Sequence, residues 1–513
     1  MKINNKIKLL TLILSLIIFS AVFTLSCAKN SENNPADSNP SEENASGNAA
    51  DEQQSATEAA TIDPRQANLA LYNYPDVNYN GYEFKIMIRG QEDEWDSQDI
   101  LAAEDSGDVV ESAVYKRNLE AEEKLNIKIT PIWAKLSEQP AKLKKAVTAG
   151  DNSYDAVMMN LRDASNSTKQ GYLTNLGEVP GIDLSKPWWD QSIMKETSVM
   201  KKVYFATGDI SIADNDGTWT MMFNKKIVKE LALPDIYEIV KKGEWTIDKF
   251  MELCKGVTMD LDGNGVINNL DRVAFATTVD SVQGLFYSTG QRIVRKDEND
   301  VPYFALNADS VITNLQKIYQ VFRGPGDLTM LGADYAKVNP RTNEVVQLAF
   351  EEDRALFYAE VMQCVIRIRQ METEFGIIPL PKADTEQQQY STYVHYWPSS
   401  TIAVPMGGPD NERTGTIIEA LAYGGYKFIT PAYYDVALKS KYARDDESSE
   451  MLDIIFAGRS ADLGYVDDFG GLISSFQTNI VNKKDTFAST IEKAEPKAQK
   501  DIDKAVAAYE KLG

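Results

Sequence analysis

Blocks of apolar and polar residues alternate along the chain and predict strands and helices in turn. Short apolar runs rich in β-branched and aromatic residues predict strands at 82–88, 127–132 and 154–159. Apolar positions at helical spacing predict helices at 109–125, at 141–149 before Gly150, at 224–231, at 246–254 and, polar and alanine-rich, at 494–512. This alternation indicates an α/β architecture with parallel sheets.

The first apolar block has a different character. Three lysines within the first eight residues precede an uncharged apolar run at 9–25, and Cys27 follows. A charged start and an apolar core are typical of a secretory signal, and bacterial lipoproteins are cut and acylated at a cysteine in this place. Thr24 stands where the cleavage motif usually has Leu. We expect a signal at 1–26 and a lipid on Cys27 that holds the protein on the outer face of the cell membrane; an uncleaved transmembrane anchor is the alternative.

The next segment has the composition of a spacer. Residues 28–61 contain no aromatic residue and no Val, Ile, Leu or Met. Such a stretch buries too little apolar surface to offset the entropy of ordering it. We therefore predict a disordered linker that, with the acylated cysteine, covers 27–80.

Length and charge limit the number of domains and the classes of partner expected for the part of the chain after the linker. The chain has 513 residues, and the part after the linker exceeds what one core normally holds, so two domains are expected. The formal net charge of −23 argues against nucleic acid and against an anionic membrane surface, because both need clustered Lys and Arg. We expect membrane contact through the lipid anchor only.

Two cysteines remain in the body. Cys254 and Cys364 lie in apolar contexts with helical spacing, and free Cys packs as a small hydrophobe. Two buried thiols are predicted, with a disulfide between them as the alternative.

One segment matches a calcium-binding loop. Over 260–271 its oxygen-bearing side chains fall at the EF-hand ligand positions, and Gly265 occupies the turn position. The predicted ligands are Asp260, Asp262, Asn264, the carbonyl of Val266, Asn268 and Asp271. Position 12 is Asp rather than the bidentate Glu, and position 9 is an amide, which weakens or alters the coordination. A structural calcium ion is predicted; a polar turn without metal is the alternative.

Catalytic motifs are weak. His395 is the single histidine of the chain, so any triad depends on it. Acidic residues are abundant, but sequence spacing does not show whether two of them lie at the separation that a glycosidase needs. We expect a protein that is not an enzyme.

Aromatic residues beside polar ones indicate a sugar site, because ring faces stack on sugars while carboxylates and amides bind the hydroxyls. The candidate ligand residues are Trp189, Trp219, Tyr396 and Trp397, with Asp214, Asp216, Arg89 and Glu94 as polar residues near expected strand ends. For each single tryptophan, core packing is the alternative, and Trp245 is interpreted as structural.

Several segments in order resemble the extracellular solute-binding proteins of bacterial ABC importers, in particular the carbohydrate-binding family 1 type. They are 203–209 (VYFATGD), 222–226 (MFNKK), 243–250 (GEWTIDKF), 375–382 (FGIIPLPK), 403–405 (AVP) and 431–435 (PAYYD). Some members of this wider family carry a calcium loop after the same Trp-Thr helix, which matches 260–271. The resemblance covers roughly residues 82–470.

The resemblance implies a type II periplasmic-binding-protein fold, with two α/β lobes joined by hinge strands. By chain order, lobe 1 takes 82–215 and 376–430, and lobe 2 takes 216–375 and 431–513. The implied function is capture of an oligosaccharide between the lobes and its delivery by a monomer to ABC permease subunits. A lipid-anchored glycan-degrading enzyme and a peptide-binding or signalling receptor are the alternatives.

Overall fold

The computed structural model describes residues 64–90, 100, 102, 108–306, 309–434 and 445–512. The predicted signal, residues 27–63 of the predicted linker with Cys27, and Glu94 lie outside these residues. Residues 64–80 of the predicted linker are described and begin with a helix, Pro64–Leu69. None of the described helices combines the length and the apolar character that crossing a bilayer requires.

The described part of the chain alternates helices and strands. The strands are β1 Tyr82–Arg89, β2 Ile127–Ala134, β3 Ala156–Met159, β4 Trp219–Asn224, β5 Val273–Thr277, β6 Val294–Lys296, β7 Pro302–Phe304, β8 Thr329–Leu331, β9 Ala355–Val361, β10 Phe375–Ile378, β11 Thr392–Tyr393, β12 Thr401–Ala403 and β13 Arg459–Ser460. The α-helices are α1 Pro64–Leu69, α2 Val109–Leu125, α3 Gln139–Ala149, α4 Leu161–Lys169, α5 Gln191–Thr197, α6 Ala213–Asp216, α7 Lys225–Glu230, α8 Ile236–Lys241, α9 Ile247–Cys254, α10 Ser281–Ser288, α11 Asp309–Arg323, α12 Thr342–Glu351, α13 Gln363–Arg367, α14 Asn411–Gly424, α15 Asp446–Ala457, α16 Leu463–Val466, α17 Leu472–Val481 and α18 Phe487–Glu510.

Local capping explains why several predicted helices start and stop where they do. Asp108 accepts the backbone N–H groups of Val110 and Glu111 and so begins α2. Asn126, in a left-handed conformation with φ of 49°, ends it. Thr246 caps α9 through the N–H of Lys249 at 3.2 Å, and the predictions for both helices are confirmed.

The last helix is longer than predicted. It begins at Phe487 rather than at 494 and ends at Glu510. Phe487 and Ile491 are buried one helical turn apart, so packing extends the helix through a segment whose sequence is less alanine-rich.

The first sheet has the order β12-β3-β1-β2. Strand β1 runs parallel to β2 and to β3, as predicted, whereas β12 runs antiparallel to β3. Helix α2 packs against α14 and β2, and one hydrophobic core surrounds this sheet.

The second sheet has the order β10-β4-β9-β5-β8. Strand β5 is parallel to β8 and β9, while β4 is antiparallel to both β9 and β10. The prediction of parallel sheets is therefore wrong for these pairs, and both sheets are mixed. Every residue of β9 is buried, as expected for a central strand covered on both faces.

Strand pairing bears on the predicted lobe boundaries. Residues 375–378 form β10 and pair with β4 of the second sheet, although position 376 was assigned to lobe 1. The chain returns to the first sheet at β12. The C-terminal helix α18 contacts both α4, in predicted lobe 1, and α11, in predicted lobe 2. It therefore packs against elements of both predicted lobes. The full lobe assignment stays a prediction.

Cys254 and Cys364 are both buried and free. Two buried thiols are what the apolar contexts predict, and the disulfide alternative is not seen.

Candidate functional site

A cavity of about 450 Å³ opens beyond the carboxyl ends of strands β5 and β9. In open α/β sheets, ligands bind in the crevice outside the carboxyl ends of the strands. Residues from several helices, strands and loops line the cavity. They are Arg162 in α4, 278–280 and Gln283 after β5, Thr342 and Asn343 in α12, Glu360 and Val361 in β9, 395–398, Tyr465 in α16, and Asp468, Ile473, Ser474 and Gln477. Residues from widely separated parts of the chain thus form one concave surface.

Three consecutive aromatic rings form one wall of this cavity. The His395 ring stacks on Tyr396, with centroids 5.2 Å apart and planes 23° apart. The backbone N–H of Trp397 donates to His395 Nδ1 at 3.1 Å, which fixes the turn that presents the indole. Burial lowers the pKa of His395, so the imidazole is neutral at physiological pH and acts as an acceptor.

Two arginines hold the aromatic wall in place. The guanidinium of Arg162 lies 3.7 Å from the Tyr396 ring centroid, and that of Arg89 lies 4.8 Å from the Trp397 ring centroid. Arg89 also donates to the Trp397 carbonyl at 2.6 Å. Cation–π contact and this hydrogen bond fix the two rings before any ligand arrives.

Carboxylates and amides also line the cavity. Asp280 accepts hydrogen bonds from the side-chain amides of Gln283 at 3.1 Å and Gln477 at 2.9 Å. Glu360 is only 7% exposed. Burial, and then the negative charge of Asp280, raise the pKa of Glu360 to about 8.

Arg162, Asp280, Glu360, Tyr465 and Gln477 were not predicted as site residues. Asp280 lies three residues after the end of β5, so the strand-end rule that selected other residues would have found it once that strand was recognised.

The structure brings three of the predicted ligand residues together. Tyr396 and Trp397 line the cavity, and Arg89 contacts Trp397.

Four other predicted ligand residues lie in the interior and do not line this cavity. Trp189 is 2% exposed, and its indole N–H donates to Glu419 at 3.1 Å. Trp219 is buried and stacks on Tyr393. In this structure both tryptophans pack in the core rather than on the wall of the cavity.

The two predicted aspartates are also buried, in helix α6 rather than at a strand end. Asp214 lies 3.5 Å from Arg459, and Asp216 accepts the hydroxyl of Tyr433 at 2.7 Å. Their carboxylates therefore serve internal contacts.

The predicted calcium loop lies between α9 and β5, away from the cavity. One carboxylate oxygen each from Asp260, Asp262 and Asp271 lies within 4.8 Å of the others. Asp271 is fully buried, while the rest of the loop is mostly exposed. Backbone N–H groups of Met259 and Arg272 bond to each other's carbonyls at 3.0 Å and close the loop at its base.

The chain's own N–H groups orient the carboxylates of this loop. Asp260 accepts from Gly263 and Gly265 at 2.7 Å each, and the Gly265 bond is the main reason that the pKa of Asp260 is lowered. Gly265 has φ of +79°, a conformation that glycine adopts without strain. The oxygen-only donor set of 260–271 fits a hard cation such as Ca²⁺.

Comparison with known proteins gives no match among protein-family models and none among curated proteins. Solved structures do match. ABC substrate-binding protein Lmo0181 from Listeria monocytogenes, in complex with cycloalternan, has a TM-score of 0.54 at 12% identity, covering 82% of this chain and 99% of that one.

UspC of M. tuberculosis has a TM-score of 0.53 at 11% identity, with 82% and 99% covered. The GacH receptor of Streptomyces glaucescens GLA.O, solved unliganded and with acarbose, has a TM-score of 0.50 at 10% identity, with 84% and 98% covered. These likenesses show the fold, and they confirm the predicted two-lobed α/β periplasmic-binding-protein fold.

Proposed function

We propose that the protein is a substrate-binding protein that captures an oligosaccharide between its two lobes and delivers it to the permease of an ABC importer. The observation that carries the proposal is the cavity in which the rings of Tyr396 and Trp397 share one concave surface with Asp280, Glu360 and amide side chains. The fold supports the proposal, because similar structures include an acarbose receptor and a cycloalternan complex.

Sugar chemistry fits this surface. A pyranose has apolar C–H faces that stack on aromatic rings and a rim of hydroxyls that hydrogen-bond to carboxylates and amides. The rings are already fixed by Arg89 and Arg162, so little side-chain freedom is lost on binding. A ligand that contacts both lobes stabilises the closed arrangement, and no covalent step is needed.

A thermal-shift screen of the body (residues 62–513) against oligosaccharides tests capture. A ligand at a hundred times its dissociation constant adds about 2.7 kcal/mol of stability, and we expect such a shift for one class of sugar that is recovered intact. Absence of any shift would overturn the sugar proposal, and recovery of a cleaved product would favour the glycan-degrading enzyme.

We further propose that Cys27 carries the lipid anchor and that the monomeric body works at the outer face of the cell membrane. The charged, apolar start of the chain and the polar composition of residues 28–61 support this placement. Replacing Cys27→Ser should move the protein from the membrane fraction to the medium or leave it as an unprocessed precursor. Unchanged membrane binding with normal processing would contradict acylation at Cys27.

Residues 260–271 are proposed to hold a structural calcium ion. The side-chain ligands would be Asp260, Asp262, Asn264, Asn268 and Asp271, with the carbonyl of Val266. Because β5 follows the loop and leads to Asp280, the ion would fix the start of a strand that ends at the cavity.

Melting in calcium and in chelator tests this site. Calcium should raise the midpoint by a few degrees, as expected for an ion that binds only the folded state. The exposed Asp262→Asn should abolish the difference, whereas Glu123→Gln, an exposed position on α2, should keep it. Equal midpoints with calcium and chelator would leave the loop a polar turn.

A further inference from the structure

Two of the segments that connect the two large sheets lie side by side. Residues 206–218, the first crossing, leave the first sheet and lead into β4 of the second. Residues 394–402, the second crossing, run back to β12 of the first sheet, and the two crossings pair in the antiparallel direction at both ends. Segments of this kind form the hinge of a two-lobed protein, because they absorb the change in backbone angles when the lobes move.

The first crossing carries acids that bond inside the protein. Asp214 is buried, and one of its carboxylate oxygens accepts the backbone N–H of Asn215 at 2.9 Å. Asp209 accepts the hydroxyl of Thr430. Asp209 is partly exposed, although its carboxyl group is surrounded by protein atoms. Carboxylates in such surroundings are costly to ionise unless a base stands nearby.

The base is Arg459, which comes from the other side of the hinge. It follows α15, and α15 packs against β10 of the second sheet. Its guanidinium donates to Asn215 and to Asp190 and lies 3.5 Å from Asp214. Its carbonyl accepts the hydroxyl of Ser192 at 2.8 Å. Asp190 caps α5, a helix that packs in the core of the first sheet, so Arg459 holds α5 to α15 across the hinge.

We call Asp190, Asp209, Asp214 and Arg459 the hinge cluster. The other charged and polar groups that face it are Arg65 of α1, Asn215 and Asp216 of α6, Thr430 and Tyr433. Burial raises the pKa of both Asp209 and Asp214 to about 7, with Arg459 acting in the opposite direction. The repulsion between neighbouring carboxylates adds to the rise, which agrees with three acids placed around one guanidinium.

We propose that the hinge cluster is a proton-sensitive switch: with Asp209 and Asp214 protonated, Arg459 holds α5 to α15 through Asp190, and loss of the two protons releases this contact and lets the helices move apart. When both acids are ionised, three carboxylates face the Arg459 guanidinium, and an excess of buried charge is unfavourable until water reaches it. Closure of the lobes would therefore depend on the pH outside the cell. The inference rests on the fold and needs no particular ligand.

The direction of the pH effect follows from the raised values. The folded state holds these protons more tightly than the unfolded state does, so the stability that they contribute is complete below the ordinary Asp pKa of 3.8 and is lost as pH rises through 7. The contact between α5 and α15 is therefore kept in mildly acidic solution and released in mildly alkaline solution.

A distance between two spin labels on the ligand-free body tests the switch. Residues 62–513 form one compact unit. The labels are placed at Lys195→Cys in α5 and Ala457→Cys in α15, both exposed positions, while Cys254 and Cys364 are buried and so are protected from labelling. We expect the distance to lengthen by several ångströms between about pH 5.5 and about pH 8.5, with its midpoint near 7.

Two variants assign the effect to residues. The double variant Asp209→Asn with Asp214→Asn keeps the hydrogen-bond acceptors but cannot ionise, so the distance should stay short at both pH values. Glu419→Gln is the matched control. Burial also raises the pKa of Glu419 to about 7, but this acid bonds to Trp188 and Trp189 rather than to Arg459, so the lengthening should remain. Melting at both pH values establishes that each variant is folded.

The outcomes are distinguishable from failure of carbohydrate capture, because no sugar is added. A parent distance that is the same at both pH values would overturn the switch. A lengthening that persists in the double variant would overturn its assignment to Asp209 and Asp214. If the double variant does not fold, each single variant should shorten the pH-dependent change, and single variants that behave like the parent would overturn the assignment in the same way.

Discussion

Two aromatic groups of this protein look alike in sequence and differ in structure. Trp188 and Trp189 precede an aspartate, and Tyr396 and Trp397 follow the histidine. The first pair is buried in the core of the first sheet, and both indole N–H groups donate to the single carboxylate of Glu419, at 2.9 and 3.1 Å.

The second pair is only half-buried and lines the cavity. Its rings are held by Arg89 and Arg162, and Arg162 itself lines the cavity. The comparison teaches that a ring is available for a ligand when its partners leave part of it exposed in a cavity. A ring whose own N–H is satisfied inside the core contributes to stability instead.

The largest expected effect is a loss of folding stability when a residue of the buried tryptophan pair, rather than of the cavity pair, is replaced. Trp189→Ala should lower the free energy of unfolding by about 3–5 kcal/mol, because it removes a large buried side chain and a bond to Glu419. Chemical denaturation of the ligand-free body measures this loss.

A matched control is Trp133→Ala in β2, since Trp133 is 44% exposed and should cost less than about 1 kcal/mol. A Trp189 variant as stable as the Trp133 variant, but unable to bind sugar, would reverse the comparison.

The sequence does not distinguish these pairs, because the deciding contacts are remote. Glu419 lies 230 residues from Trp189 in the sequence, and no local sequence pattern predicts the hydrogen bond between them. Asp214 fails the strand-end expectation for a different reason, since its segment is helix α6. By contrast, α2 and α9 were predictable because their caps are local in sequence.

Sheet direction was only partly predictable. Alternation of strand and helix correctly indicated parallel pairing of β1 with β2. Strands β10 and β12 pair antiparallel with β4 and β3, which lie more than a hundred residues earlier in the chain. Short apolar runs do not indicate which distant strand they will pair with or in which direction.

The second prediction tests the cavity wall. Trp397→Ala should weaken oligosaccharide binding about tenfold, or ~1.4 kcal/mol, because it removes a stacking surface. Trp397→Phe keeps a ring and should retain most of the affinity. Calorimetry measures both, and unfolding curves should stay closer to the parent than that of Trp189→Ala. Unchanged affinity in Trp397→Ala would remove this residue from the site.

A third prediction concerns the acid that satisfies the buried tryptophans. Burial, the largest cause, raises the pKa of Glu419 to about 7, so the folded state holds its proton more tightly than the unfolded state does. The stability from this group is complete below the ordinary carboxyl pKa of about 4.5 and is lost as pH rises through 7.

Glu419→Gln has no such proton and should lose this contribution to the pH dependence. The variant leaves one indole N–H poorly bonded and should be about 1–3 kcal/mol less stable at pH 5, with the deficit shrinking toward pH 8. Denaturation at several pH values measures the difference, and a deficit that grows with pH would contradict the raised pKa.

The smallest effect is expected at a buried hydroxyl beside the cavity. Tyr465→Phe deletes a hydroxyl that bonds to the equally buried hydroxyl of Tyr393, so the free energy of unfolding should fall by about 1 kcal/mol. Because the hydroxyl faces Tyr393, the same change should leave oligosaccharide binding unaltered, which calorimetry and chemical denaturation measure together. A several-fold loss of binding at unchanged stability would mean that this hydroxyl serves the ligand, and Tyr465 would then belong with Tyr396 and Trp397 rather than with the buried tryptophans.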